Sequence, residues 1–429
     1  MAAPQMETGD VTPLASGTAA APAPLPWIGQ FAPSFRALRH RNFRLFLGGQ
    51  IVSLVGTWMQ NVAQSWLVYR LTHSELLLGT AWFCSQIAVF ALGPLGGLAA
   101  DRISRRNLVV ATQTLSMLQA FGLAALTLTG KVQVWHVLAL SGLLGVINAF
   151  DMPGRQALVI HMASKEDLLP AISLNSAVFN TARVLGPGVA GLLLAAVGEG
   201  VCFLLNGLSF LAVIASLCMM RMPPFERKPA APPLRHLADG FRYTWRHHAV
   251  RWILGLMAAA TLAGMPIFVL IPFFADDIFH RGSRGLGFLM AAMGSGAVVG
   301  TLVLARRTRV AGLPRIMAYS GIAVGAAYLA FGLSPSYWVS LAVMPVIGYF
   351  VMRQMASANT TIQTLIPDEY RGRVMALYAM TVVGLGPFGS LAAGAIAGRF
   401  GARVAVVVGG VVAMAAAFGV SERRRTIGV

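Results

Sequence analysis

Few side chains in this chain could do chemistry, and most of those few lie where charge is costly. Asp151 and Arg155 stand four apart in AFDMPGRQ, Arg183 falls inside NTARVLGPGVAG, and Arg353 and Gln354 interrupt YFVMRQMAS. A carboxyl group in apolar surroundings can bind and release a proton as its environment changes, which makes Asp151 the proton-coupling candidate. The same residue could instead pair with Arg155 one turn on, steadying a kink at Pro153. A guanidinium facing a cavity suits an anionic or catecholate oxygen, so Arg183, with Asn180 one turn earlier, is a substrate-cavity candidate. Gln60, Asn61 and Gln64 cluster in an otherwise apolar stretch, and with Arg353 and Gln354 they are further cavity candidates. Nothing here resembles a metal site: Cys84, Cys202 and Cys218 stand alone in apolar runs, where thiols behave as small hydrophobes. With no nucleophile–base pair and no phosphate-binding glycine loop, neither an enzyme nor a bound cofactor is expected.

The elements that must position these residues are read from hydropathy. Of the 429 residues 56% are hydrophobic and 11% charged, against roughly 25% charged in a soluble domain. Twelve stretches are apolar enough to cross a hydrocarbon core, a crossing that needs about 20 residues. They lie near 43–70, 76–99, 107–129, 134–155, 172–197 and 200–221, then 250–273, 285–305, 314–334, 337–358, 374–397 and 402–420. The predicted class is therefore an all-α membrane protein of twelve transmembrane helices in two six-helix bundles.

The net charge of +18 would suit nucleic acid if the basic residues formed one groove. They do not. Sorted by alternate loops, about 24 Lys and Arg fall on the side of both termini and about 6 on the other. That bias places both termini in the cytoplasm and makes the charge a topology signal, with lipid as the partner and no nucleic acid. Residues 1–35, rich in Ala and Pro, read as a disordered cytoplasmic tail without a signal peptide. Residues 36–222 form the first bundle, 223–249 a cytoplasmic linker with a basic amphipathic helix, 250–420 the second bundle and 421–429 a basic tail. Trp135 and Trp338, Gly145 and Gly348, and Glu166 and Glu369 each stand 203 apart, as a parallel repeat of two bundles requires.

One charged knot lies between the second and third spans, in GPLGGLAADRISRRN (93–107). Flanking anchors explain its arginines but not Asp101. Gly97, Asp101, Arg102, Arg105 and Arg106 in this order resemble the signature loop of the major facilitator superfamily, with Ser104 where that pattern has a second glycine. The resemblance implies a conformational gate, in which Asp101 docks on the start of helix 11 beside Arg371 and Arg373 in one of two states. Gly186, Pro187 and Gly191 resemble the helix-5 motif of the superfamily's antiporters, and Gly384–Gly389 echoes it in the eleventh span. DMPGRQALV, LPAISLNS and IPDEYRGRVMALY look like the branch holding the enterobactin exporter and macrolide efflux proteins.

The resemblance implies a monomeric secondary transporter in a bacterial cytoplasmic membrane. Its expected work is export of an amphipathic small molecule, a siderophore-like metabolite or a drug, in exchange for protons. A proton-linked uptake permease of the same fold is the alternative within the class. A lipid-handling transporter or a non-transporting membrane receptor is the alternative outside it.

Overall fold

A computed structural model of the protein describes residues 36–160, 162–164, 166–222, 241–305 and 312–422, with the side chains of 169, 180, 183–185, 305, 368 and 369 excepted. The expected N-terminal tail, most of the linker and residues 423–429 lie outside that set. Ten stretches are long and apolar enough to span a membrane. Two further helices complete twelve among the described residues. α1 (Arg41–Thr72) is diluted by Gln50, Gln60, Asn61 and Gln64. The other emerges where the continuous helical stretch Leu168–Cys218 breaks at Gly198, whose φ of 75° only glycine adopts without strain. Its arms, α5 (168–197) and α6 (199–218), run antiparallel, since Gly186 on one and Asn206 on the other meet neighbouring turns of α1.

The remaining helices are α2 (Glu75–Arg102), α3 (Arg105–Leu128), α4 (Val134–Ile160), α7 (His248–Phe273), α8 (Gly282–Ala305), α9 (Leu313–Leu333) and α10 (Tyr337–Leu365). α11 runs from Asp368 to Phe400, and α12 spans Ala402–Glu422. α11 carries a π-helical turn at Met380–Gly384 just before Gly386 and Pro387, and α7 ends in another at Phe274–Ile278. α4 and α10 extend past the expected ends at 155 and 358. The end of α10, residues 359–365, is polar enough to escape a hydropathy count, whereas the last turn of α4 is apolar, with Leu158 and Val159 buried.

Alternation puts residues 41, 103, 219, 248, 366 and 422 at one end, here the terminal end, and 73, 130, 198, 281, 335 and 401 at the distal end. Within each half the closest crossing has the same form. A Cβ at Gly145 of α4 would strike Ser85 O of α2, and one at Gly348 of α10 would strike Met293 O of α8. Without a hydrophobic force between helices in lipid, such small-residue contacts supply the packing. Exposed Ile51, Val55, Leu118, Leu208, Leu302, Val339 and Val411 cover the outer surface, as a lipid-facing wall requires.

The halves meet at the distal end and part at the terminal end. Gly191 of α5 lies against Gly287 of α8, and Gly79 of α2 against Ser390 O of α11. Tyr69 packs edge-on to Phe273 at 4.9 Å and donates a 2.7 Å hydrogen bond to Asp276. Along α2 and α11 contact persists as far as Phe90, which touches Gly384 and Phe388. Beyond it Leu95 and Asp101 are exposed.

Candidate functional site

Two cavities share a wall; the larger lies between the halves and the smaller is lined by first-half residues. The larger, about 280 Å³, is bounded by α7, α8 and α10 and lined by Met257, Met265, Met290, Met293, Met352 and Met355. Gln354, Thr261 and Tyr328 add its polar atoms. The smaller, about 170 Å³, is bounded mainly by α1, α2 and α4, with Gln60, Asn61, Gln64, Ser85, Gln86, Asn148 and Arg155 on its walls. Trp58, Asn61, Ser65 and Trp82 line both. The space is therefore amphipathic, polar toward the first half and thioether-rich toward the second.

The polar chamber is held by buried hydrogen bonds. Gln60 Nε2 donates to Gln119 Oε1 at 2.9 Å, and Asn206 Nδ2 donates to Gln60 Oε1 at 2.7 Å, tying α1 to α3 and α6. With both ends of its amide occupied, Gln60 is more a strut than a ligand contact. Gln64 Nε2 donates to Ser141 Oγ at 2.6 Å, while its Oε1 is buried without a partner. Trp82 Nε1 is likewise buried and unpartnered. Asn61 makes no side-chain hydrogen bond to a described residue although it lines both cavities.

Asp151 is 1% exposed and does not line either cavity. Its Oδ1 accepts from Thr112 Oγ1 at 2.6 Å and from Gln113 Nε2 at 2.8 Å, and Oδ2 accepts from Arg155. The intrahelical pair foreseen beside Pro153 is present, and Arg155 itself reaches the polar chamber. That role was missed: the sequence offered Arg155 only as a partner, and nothing in the i,i+4 spacing says which member faces open space. Gln354, buried at 4%, points into the methionine chamber. Arg353 lines neither; it donates to Tyr349 Oη at 2.7 Å and stands 5.2 Å from that ring. The side chains of Arg183 and Asn180 lie outside the described residues; their backbone belongs to α5.

The helix-5 glycines sit at the junction of the halves. Gly186 abuts Trp58, Gly188 abuts Ala291 and Gly191 abuts Gly287, while Pro187 lines the larger cavity. At the terminal end Asp101 and Arg102 are exposed, and neither hydrogen-bonds a described residue. Arg106 donates to Cys218 O at 2.9 Å, and Arg105 begins α3. Arg371 and Arg373 belong to the opposite half, where Tyr370 stacks on Tyr243 at 4.4 Å and the Arg373 guanidinium lies 5.5 Å from the centre of the Tyr370 ring. Ser104 takes φ −51°, so the turn after Asp101 does not need the glycine of the resembled pattern. Close approach in this segment belongs to Gly96, against Ala149 O, rather than to Gly97, whose surroundings are open.

Two six-helix halves enclosing a central cavity, joined at one end and open at the other, define a multi-pass membrane transporter. The sequence matches the transmembrane secretion effector family over residues 29–425, and the chain belongs to that family of the major facilitator superfamily. It is 25% identical to the staphyloferrin A transporter of Staphylococcus aureus over 83% of this chain and 90% of the relative. It is 25% identical to the multidrug efflux pump Tap of Mycolicibacterium fortuitum, covering 83% and 89%. Against the enterobactin exporter EntS of Shigella boydii the identity is 25%, covering 80% and 83%. The solved nucleoside transporter NupG superposes with a TM-score of 0.68 at 14% identity, over 91% of this chain and 98% of that one. A bacterial homologue of ferroportin gives 0.64 at 17% identity, over 88% and 98%. These two share the fold.

Proposed function

We propose that the chain exports an amphipathic small molecule, a siderophore-like metabolite or a drug, across the bacterial cytoplasmic membrane in exchange for protons. The observation that carries this reading is the two-sided cavity, polar on one wall and apolar on the other, sealed at the distal end. Its relatives named as a siderophore transporter, a siderophore exporter and a drug efflux pump support the substrate class. The excess of basic residues at the terminal end assigns that end to the cytoplasm. The conformation is then cytoplasm-open, ready to load.

Coupling runs through Asp151 and Arg155. A proton on Asp151 removes the negative charge that holds Arg155, so the guanidinium, still cationic, is released toward the chamber and the net charge of the pair rises by one. Proton occupancy and substrate occupancy are thereby linked. In the opposite state Asp101 reaches the N-terminal end of α11, with Arg102, Arg105, Arg106, Arg371 and Arg373 around it, and shuts the cytoplasmic side. Gly186, Pro187 and Gly191 form the pivot on which the distal side opens.

Flux into inside-out vesicles tests the direction. An acid lumen drives substrate uptake if the protein exports; uptake favoured by an alkaline lumen reverses the assignment. Asp151→Asn loses gradient-driven flux yet retains substrate exchange at equal pH. Asp101→Asn raises cysteine labelling at the cytoplasmic mouth, and unchanged labelling removes Asp101 from the gate.

A further inference from the structure

Two residues that line the distal part of the polar chamber carry polar atoms that the fold leaves unused. Gln64 Oε1 is a buried acceptor and Trp82 Nε1 a buried donor, and neither has a partner. Both residues line the same cavity. At 1.5 Å per helical residue, both stand about 10–12 Å from the distal ends of α1 and α2. Asn61 and Gln86, one turn deeper, also line this chamber, and neither side chain hydrogen-bonds a described residue. An unmade hydrogen bond at a buried atom costs about 1–3 kcal/mol, so such groups are normally satisfied by a ligand or water.

Among the described residues charge is missing at this depth. Arg155, the one charged residue among the described residues that line the chamber, begins about 30 Å from the distal end of α4, and Asp151 already neutralises it. A charged head group brought to Gln64 and Trp82 would be desolvated with no counterion, a heavy penalty. A neutral group that both donates and accepts would satisfy both atoms at once. Trp82 and Asn61 also form the shared wall, so anything seated there continues directly among Met257, Met290 and Met293.

From this we infer that Gln64 and Trp82 form the head-group site for an uncharged hydroxyl- or amide-bearing amphipath, whose apolar body occupies the methionine chamber. The hydroxyl or amide N–H donates to Gln64 Oε1, and its oxygen accepts from Trp82 Nε1. Met thioethers adapt to bodies of different shape, so selection falls on the head group. The inference rests on reading the cavity as the substrate site, but it concerns binding and is separable from flux.

Four probes with one body test it by calorimetry on the detergent-purified full chain: 4-butylphenol, butylbenzene, 4-butylbenzoate and 4-butylbenzylammonium. The phenol is expected to bind about tenfold more tightly than any of the other three, corresponding to about 1.4 kcal/mol. Trp82→Phe and Gln64→Leu each reduce phenol affinity about fivefold and leave butylbenzene unchanged; Met290→Ala weakens all four. A charged probe that equals the phenol overturns the inference. So does a phenol preference that survives both head-group substitutions. Should phenol binding behave as expected while vesicles show no flux, the transport reading fails and the head-group site stands.

Discussion

In the first half, Gln60, Gln119 and Asn206 bind α1, α3 and α6 together, and Thr112, Gln113 and Arg155 surround Asp151. In the second half the corresponding interior is filled by methionines, and Gln354 stands 203 residues after Asp151, in the register of the repeat. The scaffold is common to both: α2 crosses α4 at Gly145 as α8 crosses α10 at Gly348. What diverged is the lining. A hydrogen-bonded network fixes one geometry, whereas unbranched thioethers repack around different shapes. Under the proposed mechanism, recognition and coupling fall to the first half and accommodation to the second.

The largest effect that could break this contrast is at Arg155. Arg155→Ala leaves Asp151 buried without its cation and should lower stability by about 3–5 kcal/mol, read as a fall in the thermal midpoint in detergent. Asp151→Asn with Arg155→Gln restores most of it. Arg353→Ala, at an arginine of the second half, gives up only a tyrosine contact and should lose about 1 kcal/mol. Equal losses at the two arginines would erase the asymmetry.

Gly145→Val and Gly348→Val probe the shared scaffold. Each forces a side chain into a neighbouring backbone and should cost about 1–3 kcal/mol, with the two values alike. If one is tolerated, the halves do not pack by one rule. A smaller effect separates the two linings. Met290→Ala with Met293→Ala removes apolar contacts and should weaken an apolar probe by about 1–3 kcal/mol, while Gln64→Leu leaves that probe unaffected.

The smallest effect lies outside the membrane, where Asp167 joins the loop before α5 to the segment before α1. Its hydrogen bond from His40, at 2.9 Å, and the charge of Arg36 hold its carboxyl below the ordinary carboxylate range. A carboxylate so lowered stabilises the fold above its unfolded pKa and ceases to as pH falls through the folded value. Asp167→Asn should therefore be slightly less stable than the unchanged chain near neutrality, and the two should converge on titration below about pH 4.

Apolar run length found the expected spans, although α4, α10 and α11 reach a turn or more beyond their expected ends, and it found α1 despite Gln50, Gln60, Asn61 and Gln64 because the flanking apolar residues are so continuous. The reversal at Gly198 was legible too, since a short Gly-Glu-Gly break divides two apolar runs. The cavity was only partly legible. Gln60 and Gln64 have the same residue type and share a face, yet one is a satisfied strut and the other keeps a buried oxygen without a partner. Which occurs depends on Gln119, Asn206 and Ser141, contributed by helices 59 to 146 residues away. Likewise Met265 and Met355 line the chamber while Met59 is packed in the core, and no local pattern distinguishes them.

By itself the sequence determined a dozen membrane crossings and their division into two related halves. These follow from the cost of burying polar groups in hydrocarbon, a cost set residue by residue. Only the tertiary structure decided that Arg155 rather than Asp151 faces the chamber, that Gln64 and Trp82 retain unused hydrogen-bonding atoms, and that the distal end is the closed one. Those outcomes are set by which helices pack side by side and how far each is rotated about its axis, and contacts between distant segments fix that rotation.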